Sequence, residues 1–174
     1  MMTRLILSIL LVLELAGCGY TTGSLLPPQY RKIAIQPFKN KISYVSENVR
    51  SLYVPALETN VRTAVIDRFL FDGHLHIADP DKADLVLQGD LISLDQDSLR
   101  IDVNQNVQEY RIHVTISMSL TDTATGKILW TEPSFAGEAT YFTTGSQAQT
   151  QSQALDAALT DLATRVVERT VESW

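Results

Sequence analysis

Residues 107–121, VQEYRIHVTISMSLT, decide the fold. Tyr110, Ile112, Val114, Ile116, Met118 and Leu120 alternate there with Arg111, His113, Thr115, Ser117, Ser119 and Thr121. An extended chain points successive side chains to opposite faces. Strict period-two alternation therefore marks a strand with one apolar and one wet face. At about 3.4 Å per residue the stretch covers roughly 50 Å, which is long for a globular strand. An apolar face of that length needs a covering layer, and the flanking sequence offers two helices.

Downstream, Asp122-Thr-Ala-Thr-Gly126 predicts a turn into another strand, Lys127 to about Tyr141, interrupted by Pro133. Upstream, residues 99–106 read as a polar turn, about 84–94 as a strand, and 75–78 as a shorter strand ahead of the turn Asp79-Pro80-Asp81. Residues 31–38 (RKIAIQPF) set Ile33 and Ile35 against Lys32 and Ala34, and Pro37 ends that strand or places it at an edge. In residues 53–72, Leu57, Val61, Val65 and Phe69 recur every four residues opposite Glu58, Arg62 and Asp67, which predicts an amphipathic helix. Pro55 suits its first turn and Asp72-Gly73 its stop. A second helix is predicted from near Ser146 to the end, with Leu155, Ala158, Leu159, Leu162, Val166 and Thr170 on one face and Asp156, Asp161, Arg165 and Glu172 largely off it. The order β-α-β-β-β-α predicts a two-layer α+β sandwich: a four-stranded, mostly antiparallel sheet with two helices on one face. The polar side of 107–121 is then uncovered, facing water or a partner.

The opening residues, MMTRLILSILLVLELAGC, place Arg4 before an apolar run from Leu5 to Leu13 and small residues Ala16 and Gly17 before Cys18. That order reads as a secretory signal peptide, and the run is too short to span a bilayer. Leu15-Ala16-Gly17-Cys18 has the form of a lipobox, in which the cysteine becomes the first mature residue and its thiol takes a diacylglycerol. An ordinary secretory signal before an incidental cysteine, or a short buried helix, is the alternative, and Glu14 is an awkward charge for the lipobox. Cys18 is the only cysteine, so the chain has no intramolecular disulfide. Acyl chains contribute roughly 0.8 kcal/mol per buried methylene, and two or more hold a protein stably to a bilayer. The predicted organisation is a signal peptide (1–17), a lipidated cysteine with a Gly/Thr/Ser/Pro-rich tether (18–29), and one α+β domain (30–174).

Loss of residues 1–17 removes Arg4 and Glu14 and leaves the net charge at −6. That balance argues against a nucleic-acid binder and against a polybasic membrane surface. The chain contains no G-x-S-x-G elbow, phosphate loop, G-x-G-x-x-G, H-E-x-x-H or C-x-x-C. His74 and His76 are spaced to share a strand face and bind a metal, but no third ligand is close by and two surface histidines are the better reading. Asp79, Asp81 and Asp84 lack the glycine and distal glutamate of a calcium loop. Asp95 and Asp97 read as a solvated strand end. The reading is a protein that works by contact, not an enzyme, with no metal and no cofactor apart from the lipid on Cys18.

Taken in order, Gly17-Cys18-Gly19-Tyr20, Ile33-Ala-Ile-Gln-Pro-Phe, the helix to residue 72, Ala83-Asp-Leu-Val-Leu-Gln-Gly89, Glu109-Tyr110-Arg111-Ile112 with its alternating strand, Asp122, and Thr125-Gly126-Lys127-Ile128-Leu129-Trp130 resemble the LPS-assembly lipoprotein family, LptE. The resemblance covers nearly the whole mature chain. It implies two helices on a four-stranded sheet. It also implies an outer-membrane, lipid-anchored, periplasm-facing lipoprotein that lodges in the β-barrel LptD as a plug, helps the barrel fold, and contacts lipopolysaccharide on its way to the cell surface. Gly19 after the cysteine, in place of aspartate, is compatible with delivery to the outer membrane.

For that role a compact domain needs polar surface, because the lumen of a large outer-membrane barrel is polar. His113, Thr115, Ser117, Ser119 and Thr121 are the candidate barrel-facing row; an ordinary solvated sheet face is the alternative. Lipopolysaccharide carries phosphates that arginine grips bidentately, which makes Arg100 and Arg111 the candidate contacts. Their alternative is plain surface charge on an acidic domain. A competing function is another outer-membrane lipoprotein of the secretion-channel type, resembling the curli-export family. That family shares the anchor and similar Ala-Asp-Leu-Val-Leu strands but needs extra hairpins to build a pore.

Overall fold

A computed structural model describes residues 26–43 and 51–172. The expected signal peptide, Cys18 and most of the expected tether lie outside the described residues. The elements run β1 (Lys32–Ile35), β2 (Lys39–Asn40), α1 (Leu57–Asp72), β3 (His76–Ile77), β4 (Leu85–Ile101), β5 (Val107–Asp122), β6 (Ile128–Phe142) and α2 (Gln151–Val171). Both helices lie on one face of one sheet, and their buried side chains merge with those of β1, β4 and β5 into a single apolar cluster.

The sheet differs from the expected one in count and direction. It has six strand segments in the order β3-β1-β4-β5-β6, with β2 also on β4. It is mixed: β1 runs parallel to β3 and β4, while β4, β5 and β6 form an antiparallel meander. The expectation of four mostly antiparallel strands fails at β1. α1 carries the chain back across the sheet, so the strand entered after it must run in the same direction as β1. β1 thereby sits between two neighbours, and Ala34 is buried along with Ile33 and Ile35 instead of facing water with Lys32.

The long hairpin of β4 and β5 carries the architecture. Ile112, Val114, Ile116, Met118 and Leu120 are all buried, as their alternation requires. β4 extends to Ile101, so the polar turn occupies 102–106 and not 99–106. Leu91 pairs with Ile116 and Ser93 with Thr115, which leaves Ile92 as an extra residue in β4. That bulge resets the alternation, so Leu85, Leu87 and Leu91 on one side of it and Leu94 on the other all face the helices. In β6, Phe135 pairs with Ile116 and Glu132 with Met118, so Pro133 and Ser134 oppose the single Ser117. Pro133 is tolerated because it lies in a bulge on the edge strand.

The helix starts also shift. α1 begins at Leu57, not 53, after Ala56 takes a left-handed conformation (φ 55°) next to Pro55. It ends where Gly73 (φ 78°) donates its N–H to Phe69 O. α2 begins at Gln151, not 146, because Thr150 and Gln153 form a reciprocal capping box and Gln149 N–H is already bound to Phe142 O. At the other end of the sheet the entering chain is fastened. Leu26 and Tyr30 pack on the core, Tyr30 donates to Asp122 Oδ2 at 3.0 Å, and the amides of Arg31 and Lys32 donate to Asp84 Oδ2 at 2.8 and 2.9 Å.

Candidate functional site

The face of the sheet away from the helices is the candidate site. In β5 it presents Glu109, Arg111, His113, Thr115, Ser117, Ser119 and Thr121, all half-buried. Pairing register adds Asp97 beside Arg111, Asp95 beside His113, Asp90 beside Ser117 and Gln88 beside Ser119 from β4. β6 adds Thr140, Glu138 and Ala136 opposite Arg111, His113 and Thr115. The face divides in two: His113, the arginines and most carboxylates gather toward the β4–β5 turn, and hydroxyls, with Asp90 beside them, fill the half toward the β5–β6 turn.

In the charged half, His113 lies between two carboxylates, its Nε2 3.2 Å from Asp97 and its Nδ1 3.5 Å from Glu138. Arg111 Nη1 stands 3.8 Å from Glu138, and Arg111 Nε is buried without a hydrogen-bond partner among the described residues. Arg100 reaches Glu109 at 3.7 Å and lies over the Phe142 ring at 5.8 Å. The two candidate arginines therefore share the turn end of the same face, each already opposed by a carboxylate. Asp102 organises the turn over residues 102–106. Asp102 accepts the amides of Asn104 and Asn106 at 2.8 and 2.9 Å, with Gln105 left-handed (φ 64°). The Asn106 amide above all, then its side chain, Asn104 and Gln108, keep the Asp102 carboxyl below the ordinary carboxylate range despite some burial.

In the hydroxyl half a shallow cleft of about 230 Å³ opens between the chain around β2 and the sheet. Lys39, Lys41, Gln36, Gln88, Asp90 and Ser119 border it, and Lys41 is fixed to Asp90 at 2.7 Å. The lysines, Asp97, Glu138 and Asp90 were not singled out as site residues in the sequence. Only the pairing register brings them beside the Ser/Thr row.

The weak metal patterns are used for other contacts. His74 Nδ1 pairs with Asp72 at 2.9 Å, Asp79 with Lys82 at 3.2 Å, and Asp84 staples β1 to β4. Among the described residues no group of three His, Cys, Asp or Glu side chains is placed to hold a metal, and no helix is long and apolar enough to cross a membrane.

The described residues thus form a two-layer α+β domain whose sheet leaves one polar, half-buried face open. The sequence matches the lipopolysaccharide-assembly family LptE over residues 30–172, and the chain belongs to that family. No curated protein matches it in sequence. Among solved structures, a hypothetical protein from Chlamydia trachomatis superposes with a TM-score of 0.51 at 11% identity, covering 80% of this chain and 95% of that one. A PelC dodecamer from Paraburkholderia phytofirmans gives 0.50 at 14% identity, covering 87% and 96%. Rare lipoprotein B from Shewanella oneidensis gives 0.43 at 16% identity, covering 80% and 90%. At these identities the first two support the fold alone.

Proposed function

We propose that this chain is a lipid-anchored outer-membrane protein, held by acyl chains on Cys18 and facing the periplasm. It lodges in the LptD-type β-barrel as a plug, assists the barrel's folding, and contacts lipopolysaccharide during delivery to the cell surface. It acts by contact, without catalysis or cofactor. Membership of the lipopolysaccharide-assembly family supports the pathway. The observation that carries the plug is the Ser/Thr row of β5, half-buried along the face the helices leave open. Such a surface matches a polar barrel lumen without exposing apolar area to it.

The test is capture of the full-length chain from detergent-solubilised outer membranes, with mass spectrometry of what accompanies it. A one-to-one complex with a barrel is the expected result. A ring of identical chains by light scattering would favour the secretion-channel alternative and overturn this one. Palmitate labelling that depends on Cys18 tests the anchor separately.

A further inference from the structure

β6 is the last strand of the sheet, and an edge strand offers unpaired N–H and C=O groups to any strand that meets it. In an antiparallel ladder alternate residues turn those groups away from the partner strand. On β6 Ala136 and Glu138 are such residues, yet one group of each is taken up by a side chain. Glu138 N–H donates to Asp161 Oδ2 at 3.0 Å, and Arg165 Nη1 donates to Ala136 O. Asp161 and Arg165 lie one turn apart on α2, 4.0 Å from each other, and the Arg165 guanidinium also covers the Phe135 ring at 5.2 Å. One turn further on, Arg169 binds Glu132 at 2.8 Å and lies over Trp130 at 4.8 Å. The stripe Asp161, Arg165, Arg169 thus runs beside β6 in the opposite direction. Pro133 removes a donor in the bulge, and Gln149 N–H occupies Phe142 O.

We infer that Asp161 and Arg165 form a latch over the β6 edge, and that the edge beneath it is a pairing surface for a second copy of this chain. The edge is self-complementary about Gly137. In an antiparallel pair of β6 strands centred there, Ala136 of one copy faces Glu138 of the other. The Ala136 carbonyl and Glu138 amide, which the latch now occupies, would bond across the two-fold axis. Two glycines meet at the centre, and no two glutamates oppose each other. The closed latch keeps the chain single, leaving it free for a different partner.

The test is the mass of the full-length chain in detergent, followed by light scattering across a concentration series. Wild type is expected to stay at one chain, and Asp161→Ala, Arg165→Ala to rise to twice that mass. Thr140→Pro, added to the double variant, should restore the single chain, because residue 140 shares the outward register of 136 and 138 and proline removes its donor. A double variant that stays single, a doubling that survives Thr140→Pro, or a wild type already paired through this edge each overturns the latch. If the double variant loses its circular dichroism, Asp161→Ala alone decides. The Glu138 amide is then expected to exchange with deuterium several-fold faster, and unchanged exchange refutes the inference.

Discussion

Gly137 in β6 lies directly under Leu162 of α2, and a Cβ built on it would stand 2.4 Å from the Leu162 amide nitrogen. The contact is with helix backbone, so no rotamer change relieves it. Glycine here is a packing requirement: it lets α2 settle onto β6. Gly137→Ala must lift the helix and is expected to cost about 1–3 kcal/mol, the range for overpacking a tight interface. Urea unfolding should show a lower midpoint with an unchanged slope. A midpoint equal to wild type would mean that the helix rides higher over Gly137 than this contact requires.

Acid sensitivity should arise at Asp122, where Tyr30 enters the fold, as well as at Asp102 in the β4–β5 turn. Burial alone would raise the Asp122 carboxyl, but donation from the Thr125 amide, the Tyr30 hydroxyl and the Ala124 amide outweighs it and leaves the group below the ordinary carboxylate range. Tyr30 is raised in turn, by burial first and then by Asp122, and stays protonated. A carboxyl depressed in the folded state stabilises the fold above its unfolded value, and that contribution is lost as pH falls through the folded value. Tyr30→Phe removes one donor, so the carbon-13 titration of Asp122 should move upward toward the ordinary range. The acid limb of the stability curve should move with it. An unmoved titration would place the shift on the turn amides alone.

At the start of α2, Thr150 Oγ1 accepts the Gln153 amide at 3.2 Å while Gln153 Oε1 accepts the Thr150 amide at 2.9 Å. Thr150→Ala breaks the first bond and is expected to cost about 1 kcal/mol, as N-cap losses do. Thr150→Ser should retain most of it. Thermal melts of the two variants check this, and equal losses would show that the hydroxyl is not what matters.

These two helix features mark how far the sequence could be read. The buried face of β5 and the four apolar anchors of α1 follow directly from periodicity, since spacing alone decides which side chains share a face. The capping box at Thr150 is also present as a short pattern, four residues past the start expected near Ser146. What periodicity does not encode is which strand lies next to which. The parallel seating of β1, the insertion of Ile92 that rephases β4, and the meeting of Asp97, Glu138 and His113 all depend on long-range register. No local pattern carries that information. The open face could therefore be named from β5, while its carboxylates and lysines could not.

Arg100 and Arg111 stand 3.7 and 3.8 Å from their carboxylates, distances too long for direct hydrogen bonds. Their guanidinium donors are therefore weakly committed, and a phosphate could replace the carboxylate with bidentate contacts. Arg100→Ala, Arg111→Ala should bind lipopolysaccharide less well than wild type in a co-precipitation assay. Glu109→Gln should bind better, because it removes a competitor. Ion pairs this long, with arginine heads that reach solvent, contribute only about 0–1 kcal/mol, so the fold should survive both changes. Equal binding by all three proteins would return these arginines to plain surface charge.

Ser117 tests the plug itself. It sits midway along the open face, opposite Asp90 on one side and the Pro133 bulge on the other. Its side chain points away from the core, between the buried Ile116 and Met118. Ser117→Arg places a bulky charge there, beside the Lys41–Asp90 pair on the open face and not in the core, so the domain should keep its circular dichroism and its melting temperature. A barrel wall seated on this row would have to accommodate the guanidinium. Co-purification with the barrel is accordingly expected to fall several-fold. Full recovery of the complex by the folded variant would mean that the barrel holds the domain by another surface, and the hydroxyl row would then be no more than a solvated sheet face.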